Sequence, residues 1–158
     1  MKRFLNIRIL MLTLTMLVAA IAVGAVERPF AGTGSGIAVI GAEPDGKVAA
    51  VVTGSGNATH LGVFTNLGKV FFGDPDPSNP NLVHPTGNVT FTAANGDKLE
   101  TSVENGTMDL STGIGVGDFR WIGGTGRFAN VSGVIHGVVE QNFVTGAYQI
   151  TLVGDINY

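Results

Sequence analysis

The chemistry open to this chain is set by three histidines, twelve acidic residues and no cysteine. Its strongest polar group is a quartet on two adjoining runs. Asp118 and Arg120 share one face of Ile114–Ile122, and His136 and Glu140 share one face of Val134–Phe143. If the runs pair and turn these faces inward, the four residues form a charged ligand-binding cluster. Its members would perturb one another's pKa values, as acid–base work requires. The plainer reading is a solvated outer face, because charged residues are seldom buried. No catalytic residue is assigned.

Other candidates fail on spacing. A zinc site needs three or four converging ligands, and His60, His84 and His136 are far apart with no cysteine to assist. Asp74, Asp76 and Ser78 alternate like the start of a calcium loop. Asn79 stands where such a loop needs glycine, and Pro85 where it needs glutamate. Gly123-Gly124-Thr125-Gly126 has the composition of a phosphate cradle. That chemistry requires a helix whose amino terminus faces the phosphate, and strand-like residues resume at Val131. No serine lies in a Gly-X-Ser-X-Gly elbow. No metal and no cofactor is expected. Asn57, Asn88, Asn105 and Asn130 begin Asn-X-Ser/Thr sequons, which matter only where exported proteins are glycosylated.

The elements that would carry these residues read as strands and turns. Glycine supplies 24 of 158 residues without a Gly-X-Y period, so collagen is excluded. The glycines instead punctuate runs rich in Val, Ile, Thr and Phe. The last run is the clearest: Tyr148, Ile150, Leu152 and Ile156 share a face opposite Gln149, Thr151 and Asp155, with Val153 as the exception. Thr145-Gly146 joins it to Val134–Phe143 as a hairpin. Asn95-Gly96 joins Val89–Ala94 to Lys98–Val103 and suits a tight type I′ turn. With Ser35–Ile40, Val48–Thr53, Leu61–Phe72 and Ile114–Ile122, about eight strands are predicted. Eight antiparallel strands in this length suit an all-β meander barrel, whose closure removes exposed edges. Residues 73–85 hold four of the six prolines and are expected to form a loop across one mouth. Arg127, Phe128 and Ala129 are expected to make one helical turn that plugs a barrel end with Phe128.

Residues 1–25 have the order of a cleavable secretory signal. Lys2, Arg3 and Arg8 precede an apolar run from Ile9 to Val23, and small residues close it at Ala25. The run is short for a retained membrane helix, which wants roughly 20 apolar residues. Residues 26–158 then form one domain, exported to the periplasm or beyond. Losing the three leading cations leaves six basic against twelve acidic residues, a net charge of −6. Such a surface repels nucleic acid and anionic lipid. With no cysteine, packing and closure must hold the fold without disulfides.

Three segments carry a family resemblance: Ala58-Thr59-His60-Leu61-Gly62, Phe91-Thr92-Ala93-Ala94-Asn95-Gly96-Asp97 and Gly123-Gly124-Thr125-Gly126-Arg127-Phe128-Ala129-Asn130. They resemble a group of exported bacterial proteins of uncharacterised function. The last is also similar to the glycine-rich turn of the allene oxide cyclase and dirigent barrel superfamily. The resemblance spans about residues 58–135. It implies an eight-stranded barrel around an apolar cavity, and a homodimer or homotrimer. No position matches the catalytic residues of those families. The leading expectation is a barrel that binds a small apolar ligand. The alternatives are a cyclase or isomerase that shapes an apolar substrate, an outer-membrane barrel, and a scaffold without ligand.

Overall fold

The structure, a computed structural model, describes residues 26–158. The signal assignment lies outside them. Ten strands follow in order: β1 (Arg28–Ala42), β2 (Val48–Ala58), β3 (Gly62–Phe72), β4 (Pro75–Asp76), β5 (Asn79–Val83), β6 (Thr86–Ala93), β7 (Lys98–Asp109), β8 (Ile114–Gly124), β9 (Val134–Gln141) and β10 (Ala147–Ile156). Eight of them close a barrel in the cyclic order β1-β2-β3-β6-β7-β8-β9-β10, with every neighbour antiparallel. The β7–β8 pairing closes the ring, so no barrel edge is left open.

The proline-rich stretch departs from the expected plain loop. It contains a hairpin, β4 with β5, attached to the end of β7 through Leu82 and Val83. Proline cannot donate to a ladder, but an outermost strand leaves its other side unpaired and tolerates the loss. The Asn95-Gly96 turn also differs. Ala94 and Asn95 are its central residues, closed by the Gly96 N–H donating to the Ala93 carbonyl at 2.9 Å. Only Gly96 has positive φ, at 88°, where a type I′ turn needs two such residues. The extra residue makes a bulged hairpin instead.

Period-2 alternation sorts side chains inward and outward. On β10, Tyr148, Leu152 and Ile156 are buried, while Gln149, Thr151, Val153 and Asp155 are exposed. The inward sets are even-numbered on β1, β2, β3 and β10 and odd-numbered on β8 and β9. Strand β7 shifts register between Glu104 and Thr107, where Asn105 adopts φ 50°. This bulge bends the strand and brings Gly106 against Pro85.

The interior divides along the barrel axis. At one end Phe30, Phe64, Phe91, Leu99, Trp121, Phe128, Ile135, Leu152 and Ile156 form a single packed core. The rings meet edge to face, Phe30–Trp121 at 5.2 Å and Phe64–Phe91 at 5.3 Å, the geometry aromatic quadrupoles favour. The 3-10 turn Gly126–Phe128 drops a fully buried Phe128 into this end, as expected, where Tyr158 packs on it at 5.0 Å. The glycine-rich segment therefore builds a plug. A Cβ on Gly126 would strike Asp97. At the other end small residues such as Ala38, Ala50, Gly115 and Gly137 face inward among Phe72, Met108 and Tyr148, and a cavity remains.

Candidate ligand cavity at the open end

The hollow half holds a cavity of about 100 Å³. Ala38, Ala50, Val52, Val70, Met108, Val139 and Ile150 form most of its apolar wall. Four polar side chains reach it: Asn66, Thr107, Gln141 and Tyr148. No charged side chain lines it among the described residues. Above it lies a vestibule of about 550 Å³, and Phe72 borders both spaces. The vestibule spans the mouth. Ile40, Val48, Phe72, Val83, Leu110 and Phe143 are its apolar lining, and the charged Asp45, Lys47 and Asp74 line it too. Its lining carries exposed apolar groups, with Val48 44% and Ile40 39% accessible. Two ion pairs brace the rim, Lys69 to Glu43 at 2.7 Å and Lys47 to Asp45 at 2.8 Å.

One row of paired residues crosses the cavity wall. Asn66 on β3 pairs with Gly54 on β2, Gly54 with Gly36 on β1, Gly36 with Tyr148 on β10, and Tyr148 with Gln141 on β9. The two glycines lie between two long polar side chains, and this spacing has a consequence. A Cβ on Gly54 would fall 2.5 Å from the Tyr148 hydroxyl and 2.9 Å from Asn66 Oδ1, and one on Gly36 would strike the Thr53 carbonyl. With hydrogen there instead, Asn66 and Tyr148 meet across the glycine floor. Asn66 Nδ2 donates to the Tyr148 hydroxyl at 2.8 Å, and that hydroxyl lies 3.2 Å from Asn66 Oδ1. Burial raises the Tyr148 pKa above its ordinary value, and the Asn66 hydrogen bond offsets part of that rise. Tyr148 is therefore a neutral phenol throughout the physiological range.

The charged quartet lies elsewhere. Asp118, Arg120, His136 and Glu140 all point outward, so the interior cluster is not formed. Their strands do pair. His136 Nδ1 lies 2.6 Å from Asp118 Oδ1, and Asn105 Nδ2 donates to the other Asp118 oxygen at 3.2 Å. Arg120 instead binds Glu104, with Nε donating at 2.9 Å, and this contact lowers the Glu104 pKa. Glu140 stands apart, beside Ile114 and Gln149. Strand parity decides the outcome: even positions on β8 and β9 face water, while their odd positions carry Phe119, Trp121 and Ile135.

The histidines occupy three separate regions. His60, at φ 67°, caps the plugged end, with Nε2 3.0 Å from the Pro29 carbonyl and Nδ1 3.2 Å from the Tyr158 hydroxyl. His84 anchors the mouth hairpin, with Nδ1 3.2 Å from the Gly106 carbonyl and Nε2 3.7 Å from Asp76. His136 is on the outer wall. In the would-be calcium loop, Asp76 Oδ1 accepts the Ser78 N–H at 2.8 Å and the Ser78 hydroxyl at 2.5 Å. Its carboxylate tightens a turn.

Sequence reasoning missed Asn66 and the two glycines opposite it. The available signal was Gly34-Ser-Gly36 and Gly54-Ser-Gly56, two alternating glycine runs in neighbouring strands.

No protein-family profile and no curated sequence matches the chain. Solved structures do. The pterocarpan synthase dirigent protein GePTS1 superposes with a TM-score of 0.55 at 13% identity, covering 92% of this chain and 98% of that one. The pterocarpan synthase dirigent protein PsPTS1 gives 0.54 at 16% identity, over 84% and 96%. At such identities the likeness is one of fold. In fold, the chain is an eight-stranded barrel of the dirigent kind.

Proposed function

We propose that this protein is an exported binding barrel that holds a small, neutral, largely apolar molecule in its open half. The observation carrying this reading is the asymmetric interior. Nine large side chains pack one end, and the other is left hollow with no charged lining among the described residues. Small-molecule sites are typically concave and apolar with a few placed polar groups, and an eight-stranded barrel can hold one such ligand. The vestibule offers an entry route. The outer face is mixed: Thr33, Ser35, Thr53, Ser55 and Thr65 share it with exposed Val39, Val63, Leu67, Ile122 and Val153.

Binding is favoured over catalysis by the polar inventory. Asn66, Thr107 and Gln141 do not exchange protons near neutrality, and Tyr148 is held neutral by burial. General acid–base work is most effective with a group whose pKa lies near the operating pH, and none lines this cavity among the described residues. The test is native mass spectrometry of protein made with its own N-terminal segment and purified without detergent. Wild type is expected to carry extra small-molecule mass, and Val139→Phe, which fills the cavity, is expected to lose it. A ligand-free wild type, or extra mass retained by the variant, would overturn the reading.

A further inference from the structure

We infer that the Asn66–Tyr148 pair is a hydrogen-bonding handle, and that the ligand carries a hydroxyl or carbonyl group on a ring-sized apolar body. The inference rests on the binding reading above and names the ligand class.

Both partners lie on the inner wall of the cavity and are joined to each other rather than to backbone. In the shorter contact the Tyr148 hydroxyl is the acceptor, so its own proton is only weakly held, at 3.2 Å, by the same amide. That proton can turn to a ligand oxygen, and Asn66 Oδ1 can then accept from a ligand hydroxyl. The pair thus presents one donor and one acceptor side by side, with Thr107 and Gln141 the other polar side chains of the lining. Gly54 lets the pair form, since a Cβ there would fall 2.5 Å from the Tyr148 hydroxyl and 2.9 Å from Asn66 Oδ1.

Charge and size restrict the ligand further. With no ionic partner among the side chains that line the inner cavity, a charged group beside the pair would be desolvated without compensation. The cavity of about 100 Å³ is smaller than the roughly 150 Å³ apolar cavity known to admit benzene. A ring-sized body must therefore extend past Phe72 into the vestibule. Burying a hydroxyl without a partner is costly, so loss of the handle weakens an alcohol relative to the matching hydrocarbon.

The test compares benzyl alcohol with ethylbenzene, which differ by hydroxyl for methyl. Dissociation constants are read from amide shifts at Gly36 and Gly54 in the wild type and in the double variant Asn66→Leu/Tyr148→Phe. Replacing both hydrogen-bond partners by apolar groups of similar shape is close to neutral for folding, and a thermal melt checks this. The preference for alcohol over hydrocarbon is expected to fall about ten-fold or more in the double variant. A preference unchanged within two-fold, with both molecules bound, would overturn the handle and leave the binding barrel standing. If neither molecule shifts these amides in the wild type, the binding reading falls and the handle with it.

Discussion

The two halves of this barrel are made from the same eight strands and differ in what those strands point inward. Toward the 3-10 turn they present Phe30, Phe64, Phe91 and Trp121, which with Phe128 of that turn fill the lumen. Toward the mouth they present Ala38, Ala50, Gly36, Gly54, Gly115 and Gly137, which cannot. Antiparallel pairing closes the ring around both halves, so closure alone does not decide how much space remains. The contrast teaches that one fold can separate tasks along its axis. The plugged end supplies burial, and the open end spends that stability margin on a cavity.

The comparison breaks most visibly at the plug. Phe128→Ala should destabilise by about 3–5 kcal/mol, the usual cost of emptying a buried aromatic site, read as a lower denaturant midpoint. A loss below about 1 kcal/mol would mean that the plug is not the source of stability. Gly54→Ala should have the next largest effect, about 1–3 kcal/mol for forcing atoms into occupied space. It should also displace Tyr148, visible as changed tyrosine absorbance. Val139→Phe should cost less than about 1.5 kcal/mol, because its ring enters existing space, while removing ligand. Equal losses from Phe128→Ala and Val139→Phe would erase the distinction between the halves.

The smallest effect concerns pH. Asp76 at the hairpin and Asp109 at the β7–β8 turn each accept a serine hydroxyl and a serine N–H. Those bonds hold both carboxyls below their ordinary value. A carboxyl depressed in the folded state contributes stability above its unfolded pKa and loses it as pH falls through the folded one. Acidification from about pH 5 through the ordinary aspartate value, about 3.9, and below should loosen both turns. Both lie at the mouth. Amide protection should fall first at Ser78 and Ser111, while Leu99 and Ile135 keep theirs. Simultaneous loss at both ends would contradict the division.

Much of this architecture was legible in the residues. Alternation at Tyr148–Ile156 identified a half-buried strand and put Tyr148 on its inner face. Phe128 after three glycines identified the plug. The β4–β5 hairpin was hidden because proline signals end at the local chain, and only the attachment of Leu82 and Val83 to β7 makes a strand of Asn79–Val83. The inward alternative for the charged quartet failed for a related reason, and the plainer reading of an outer face holds. Asp118 and His136 do meet, but which face of a strand turns inward depends on the whole ring. The Asn66–Tyr148 pair needed the most. Those residues are 82 positions apart, and only the registers of three successive strand pairs bring them to one row.

The most direct test of an open half beside a filled one is xenon binding followed by amide NMR, since xenon enters apolar cavities of this kind. Shifts are expected at Gly36, Gly54, Gly115 and Gly137, with none at Phe128, Trp121 or Ile135. Xenon shifts centred on Phe128 and Trp121, or no saturable shifts at the mouth-side glycines, would contradict a barrel that is packed at one end and built to hold a ligand at the other.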